Sequence, residues 1–83
     1  MKTIRWNLLK NESLKKTRGV SFDDLVSSKL IGIFKNPSRA NQQIMLFEFR
    51  EYIWVVPFVE EDTYYFLKTL FPSRKYTKLL KGK

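Results

Sequence analysis

Between Gln42 and Arg50 the chain alternates, with Ile44, Leu46, Glu48 and Arg50 on one face and Met45, Phe47 and Phe49 on the other. A period of two predicts a strand with two distinct faces. Tyr52 to Val59 is apolar throughout, which predicts a strand central in a sheet or covered on both sides. Pro57 cannot donate to a ladder and predicts a bulge or an edge at that point. Glu60 to Asp62 reads as a hairpin turn. Thr63 to Phe71 then alternates again, Tyr64, Phe66, Lys68 and Leu70 opposing Tyr65, Leu67, Thr69 and Phe71. Upstream, Leu30 to Phe34 reads as a strand and Asn36 to Asn41, rich in turn formers, as a loop. Ile4 to Trp6 reads as a short strand or an extended lead-in.

Helices are predicted by their ends. Asn7 caps a segment running to about Thr17, with Leu8, Leu9 and Leu14 as a thin apolar stripe and Gly19 as the stop. Ser21 and Asp24 have capping-box spacing, and Val20 and Leu25 have staple spacing, so a short helix follows and ends near Ser28. Ser73 caps a last helix from Arg74 to Lys81, with Tyr76, Leu79 and Leu80 on its apolar side and Gly82 after it. The expectation is one α+β domain spanning residues 1–83. Two N-terminal helices pack on a small antiparallel sheet of three to four strands, and a short helix ends the chain.

Charge changes this picture from a fold to a function class. There are 16 Lys/Arg against 8 Asp/Glu, and their distribution is uneven. Residues 1–20 hold six cations and one acid, and from Lys68 onward there are six cations and no acid. Such segregation favours a polyanionic partner. Arg74 and Lys75 fall in the first turn of a helix, whose partial positive charge disfavours cations by about 0.3–1 kcal/mol unless an anion completes the site. On the other hand, Lys15, Lys16 and Arg18 close a helix, where the dipole welcomes them. No cysteine provides a disulfide or thiolate site. No apolar run reaches the roughly 18 residues that span a bilayer. The opening residues lack the apolar stretch of a secretion signal, so a cytoplasmic protein with no membrane partner is expected.

The chain has no histidine, which removes Ser-His-Asp hydrolysis, a two-histidine ribonuclease and His-ligated zinc. Its three glycines are scattered and form no phosphate loop. No cofactor or metal is expected. RNA cleavage remains open, because the substrate carries its own nucleophile, the 2′-hydroxyl. The protein must then align that hydroxyl with the phosphate and neutralise the charge that develops. Candidate catalytic residues are Arg74, Lys68 as proton donor or electrostatic stabiliser, and Glu48 as base. Candidate RNA-binding residues are Arg18, Arg50, Lys75, Lys78 and Lys10. Structural alternatives stand beside them: Lys68 snorkelling from a sheet edge, Glu48 and Arg50 as a surface ion pair, Tyr52, Tyr64 and Trp6 as packing residues.

One family gathers several of these residues. The order Trp6-Asn7, Lys10-Asn11, Leu14, Arg18-Gly-Val-Ser-Phe-Asp-Asp24 and Lys68-Thr-Leu-Phe-Pro-Ser-Arg-Lys75 resembles BrnT-like toxins of bacterial type II toxin–antitoxin modules. Members open with Trp-Asp or Trp-Asn, carry a Lys-His-Gly-Val-Ser-Phe-like helix junction, and close with an Ile-Ser-Ala-Arg-like strand end. The resemblance implies a RelE-like fold and a metal-independent endoribonuclease that cleaves mRNA and inhibits translation. It also implies a cognate antitoxin that binds DNA, and leaves open a role for the ribosome. The family's arginine falls on Arg74. Its histidine falls on Arg18, which stays protonated and can only bind phosphate, facing the site from the helical hairpin. Pro72 and Ser73 replace the usual Ser-Ala. Two other classes remain: a non-catalytic nucleic-acid-binding module, and a structural protein whose basic face holds an acidic partner.

Overall fold

The computed structural model describes residues 2–39 and 41–82. The elements run in the order β1 (Thr3–Trp6), α1 (Leu8–Arg18), α2 (Phe22–Val26), β2 (Lys29–Lys35), β3 (Gln43–Phe49), β4 (Tyr52–Glu60), β5 (Tyr64–Leu67), β6 (Phe71–Pro72) and α3 (Arg74–Lys81). Among the described residues the strands form one mixed sheet ordered β1-β5-β4-β3-β2, with β6 also paired to β4.

This overturns the expected sheet of three to four antiparallel strands. Six strands are present, and helices flank the sheet at both ends of the chain. Two features account for the difference. Thr3–Trp6 is a full strand, paired in parallel with β5, Thr3 opposite Tyr64 and Trp6 opposite Leu67. The expected continuous strand from Thr63 to Phe71 is two strands with a break at Lys68–Leu70. Leu67 and Leu70 explain the break. Both belong to the same buried cluster, yet residues three apart point to opposite faces of an unbroken strand. The interruption lets both side chains reach one core while Lys68 stays exposed.

Pro57 lies within β4, opposite Ile44. Its carbonyl accepts from the Lys68 N–H at 2.9 Å. A residue's N–H and C=O point to the same side of a strand, so the donor that proline lacks faces the break, where no ladder partner waits. The turn from β3 to β4 is a two-residue hairpin, Phe49 paired with Tyr52, and both Arg50 (φ 54) and Glu51 (φ 62) are left-handed. Two positive φ values define a type I′ turn, matched to the strand twist but costly for residues with a Cβ.

The sheet has helices on both faces. On one, α1 and α2 bury Leu14, Val20, Phe22 and Leu25 against Met45, Phe47, Val56, Phe58, Leu67 and Leu70. The predicted caps are all present there. Asn7 accepts from the Lys10 N–H, Gly19 closes α1 at φ 73, and Ser21 and Asp24 complete a reciprocal capping box. Asn11 ties the two helices together, accepting from the Phe22 N–H at 2.7 Å and donating to Asp23 at 2.8 Å. On the other face, Ile44, Leu46, Ile53 and Val55 form a smaller core beneath Tyr76 of α3 and Ile31.

Candidate nucleic-acid interface

Helix α3 is fixed to the sheet by a three-membered hydrogen-bond chain. The Ser73 N–H donates to the Ile53 carbonyl at 2.9 Å. The Ile53 N–H donates to Thr77 Oγ1 at 2.9 Å, and that hydroxyl donates to the Ser73 carbonyl at 2.6 Å. Ser73 also caps the helix, its Oγ accepting from the Tyr76 N–H at 3.0 Å. This sets where the first turn of α3, with Arg74 and Lys75, stands above β4.

The loop after β2 forms the opposite wall. Asn36 holds it closed, its N–H on the Gln42 carbonyl at 2.8 Å and its side-chain amide on Gln42 Oε1 at 2.7 Å. Its own Oδ1 accepts from the Ser38 N–H at 2.9 Å, an Asx turn. Between this loop and the 68–76 segment runs an open groove on the α3 face. One end, about 440 Å³, is lined by Asn36, Ser38, Arg39, Gln42, Pro57, Lys68, Thr69 and Phe71. The other, about 190 Å³, shares Asn36, Ser38 and Phe71 and adds Ser73, Lys75 and Tyr76 over Ile44 and Val55. Three cations, Arg39, Lys68 and Lys75, line it together with hydroxyl and amide groups, and no Asp or Glu is among these lining residues.

Of the residues expected to act, Lys68 and Lys75 are brought together in the groove. Arg74 is exposed at the first position of α3, beside Lys75, with Lys78 exposed one turn on. Glu48 stands elsewhere. It pairs with Ile53, four positions along β4 from Pro57, which Lys68 faces. Its carboxylate meets Lys81 at 2.5 Å, and that hydrogen bond holds its pKa below the usual carboxylate range, with burial opposing. Arg18 and Lys10 are exposed on α1, on the opposite side of the sheet from α3. Arg50 is in the hairpin turn, its guanidinium 4.8 Å from the Phe49 ring centre. Trp6 packs on Phe22, ring centres 5.8 Å apart.

Arg39, Asn36, Ser38 and Thr69 also line the groove and are not among the residues expected to act. Arg39 and its neighbours read as an ordinary turn, because the fold alone brings that turn opposite Lys68. A lone cation within a loop otherwise built of turn formers was the available signal. Among the described residues, no three of His, Cys, Asp and Glu gather as metal ligands would, and no helix is long and apolar enough to cross a membrane.

No protein-family model matches this sequence, and no curated protein matches it. A solved structure does: that of the Brucella abortus ribonuclease toxin BrnT, at a TM-score of 0.58 over 88% of this chain and 97% of that one, with 18% identity. The chain has the BrnT fold. The resemblance carried by Trp6-Asn7, the 18–24 junction and the 68–75 segment is thus borne out at the level of architecture. Within the BrnT fold the junction residues have structural duties in this chain: Asn11, Ser21, Asp23 and Asp24 bind one another and the start of α2, and Lys15 pairs with Asp24 at 2.9 Å.

Proposed function

We propose that this chain is a toxin ribonuclease of a type II toxin–antitoxin module, which cleaves mRNA and stops translation without a metal. The groove lined by Arg39, Lys68 and Lys75, with no acid among its lining residues, is the observation that supports this most. A phosphate backbone fits that charge, and an RNA phosphate brings the 2′-hydroxyl that attacks it. In this reading Lys75, with Arg74 beside it, holds the phosphate. As the 2′-oxygen bonds to phosphorus and loses its proton to water, Arg39 and Lys68 stabilise the charge on the phosphorane, and Lys68 gives a proton to the 5′-oxygen as its bond to phosphorus breaks. Fixed donors and cations aimed at developing charge supply much of such a rate. The fold shared with a ribonuclease toxin adds support.

An antitoxin belongs to this reading. Leu79 and Leu80 on α3 are 67% and 50% exposed beside Phe34 at 48%, an apolar surface of the kind a protein partner covers. The lack of a carboxylate in the groove favours the second reading, a module that binds RNA without cutting it. Expression of the chain alone separates the two. Growth arrest with fragmented mRNA, relieved by co-expression of a small adjacent reading frame, is expected. Normal growth with intact mRNA overturns the proposal.

A further inference from the structure

The α3 face of the sheet is only half covered. Helix α3 lies over Ile44, Leu46, Ile53 and Val55. Beyond Pro57, the strands β4, β5 and β1 present Val59, Tyr64, Phe66 and Arg5 on the same face. The register shows this: Ile44 of the α3-side core is opposite Pro57, Val59 is opposite Phe66, and Phe66 is beside Arg5. Val59 is 40% exposed, and Tyr64 and Phe66 are half-buried.

Each ring on this surface carries a cation. The Arg5 guanidinium lies 5.1 Å from the Tyr64 ring centre, and Lys68 Nζ lies 5.6 Å from that of Phe66. Tyr64 and Phe66 are two residues apart on one strand, so their rings stand roughly 6.6 Å apart along it. The hairpin carrying Glu61 and Asp62 closes the far end. At the near end Lys68 also lines the groove, so the surface and the groove are continuous through one side chain.

We propose that Tyr64 and Phe66 are a stacking platform for bases of single-stranded RNA, with Arg5 and Lys68 on the adjoining phosphates. Alternating rings and cations are what an unstacked strand needs: a π-face for each base and positive charge for each link. A peptide partner would explain the rings but not a cation on each of them. A duplex cannot use the rings, since its bases are already stacked. The platform deepens the proposed ribonuclease reading by naming its substrate as single-stranded RNA that runs from the groove across β5 to β1.

The test uses a ten-nucleotide single-stranded RNA methylated at every 2′-oxygen, which cannot be cut, and a duplex of the same length and backbone. Binding is measured for the wild type, Tyr64→Leu, Phe66→Leu and Tyr64→Trp, with thermal unfolding of each. The leucine variants are expected to bind the single strand roughly 5- to 100-fold more weakly, and the duplex within about twofold of wild type. Tyr64→Trp restores a ring and should bind the single strand at least as tightly as wild type. Equal binding of the single strand by all four proteins overturns the platform, as does equal weakening of single strand and duplex. The outcome is independent of cleavage. A protein that fails to cut ordinary RNA yet shows the aromatic dependence contradicts the ribonuclease reading and keeps the platform; the reverse result keeps cleavage and removes the platform.

Discussion

The Lys68 N–H donates to the Pro57 carbonyl at 2.9 Å, where β5 has ended and β6 has not begun. One bond joins the residue that cannot donate to a residue that lines the groove. It lets the chain break between β5 and β6 without leaving the Pro57 carbonyl unpaired. It also directs the Lys68 side chain to the α3 face, over Phe66 and into the groove. The position of Lys68 is therefore a consequence of burying both Leu67 and Leu70.

A change at Leu70 should test that link. Leu70 is fully buried, and Leu70→Ala should cost about 2–5 kcal/mol. Chemical denaturation measures it. The expected signature is a large loss of stability, with RNA binding reduced even at temperatures where the variant remains folded. A Leu70→Ala protein within 1 kcal/mol of wild type would contradict the account of the break.

The anchoring of α3 makes a second prediction. Thr77→Val keeps the shape but leaves the Ile53 N–H, buried beneath the helix, with no acceptor. An unsatisfied buried donor costs about 1–3 kcal/mol. Ser73→Ala removes the cap and should cost about 1 kcal/mol. Both should lower the unfolding midpoint, Thr77→Val at least as much as Ser73→Ala.

The hairpin at Arg50 predicts a gain. Arg50 stands at φ 54 in the first central position of a type I′ turn, where asparagine is favoured. Arg50→Asn should stabilise the protein by up to about 1 kcal/mol, raising the melting temperature by a few degrees. A lower melting temperature would show that the Arg50–Phe49 contact outweighs the backbone strain.

Much of this was legible in the chain. Every helix cap named from sequence is present: Asn7, Gly19, Ser21 with Asp24, Ser73 and Gly82. Caps are local devices: a side chain accepts from a backbone N–H three residues on at the N-terminal ends, and a left-handed glycine donates to a carbonyl four residues back at Gly19 and Gly82. The alternation over residues 42–50 also became β3. What the local pattern left open was non-local. Ile4 to Trp6 reads as a short strand or an extended lead-in, because Thr3–Trp6 is exposed along most of its length; the parallel pairing with β5 makes it a strand. Of the residues expected to act, Lys68 and Lys75 line one groove, and both belong to the short segment that leads into α3. Arg39 joins them through the fold of the sheet, and Glu48 is directed to Lys81 because α3 ends over the start of β4. No local pattern announces either meeting.

Acidification gives a further prediction. Asp24, Glu48 and Glu60 all have lowered pKa values, each chiefly through a lysine hydrogen bond: Lys15, Lys81 and Lys2 respectively. A carboxylate with a lowered folded-state pKa contributes stability that is complete above its ordinary value, 3.8 for Asp24 and 4.5 for the two glutamates. That contribution is lost as pH falls through the lower folded value. Stability should therefore be flat through neutral pH in respect of these groups and decline below about pH 4.5. Replacing Lys81 with methionine should reduce the acid sensitivity that comes from Glu48.

Single-turnover cleavage in excess EDTA tests whether the groove cuts RNA through its cations. A labelled single-stranded RNA, incubated with excess purified protein, should yield fragments ending in a 2′,3′-cyclic phosphate. Lys68→Ala should slow that step by roughly 10²–10³-fold, the scale of losing one transition-state donor, and Lys75→Ala should weaken substrate binding. Intact RNA with wild-type protein, or cleavage by Lys68→Ala at the wild-type rate, would contradict the account.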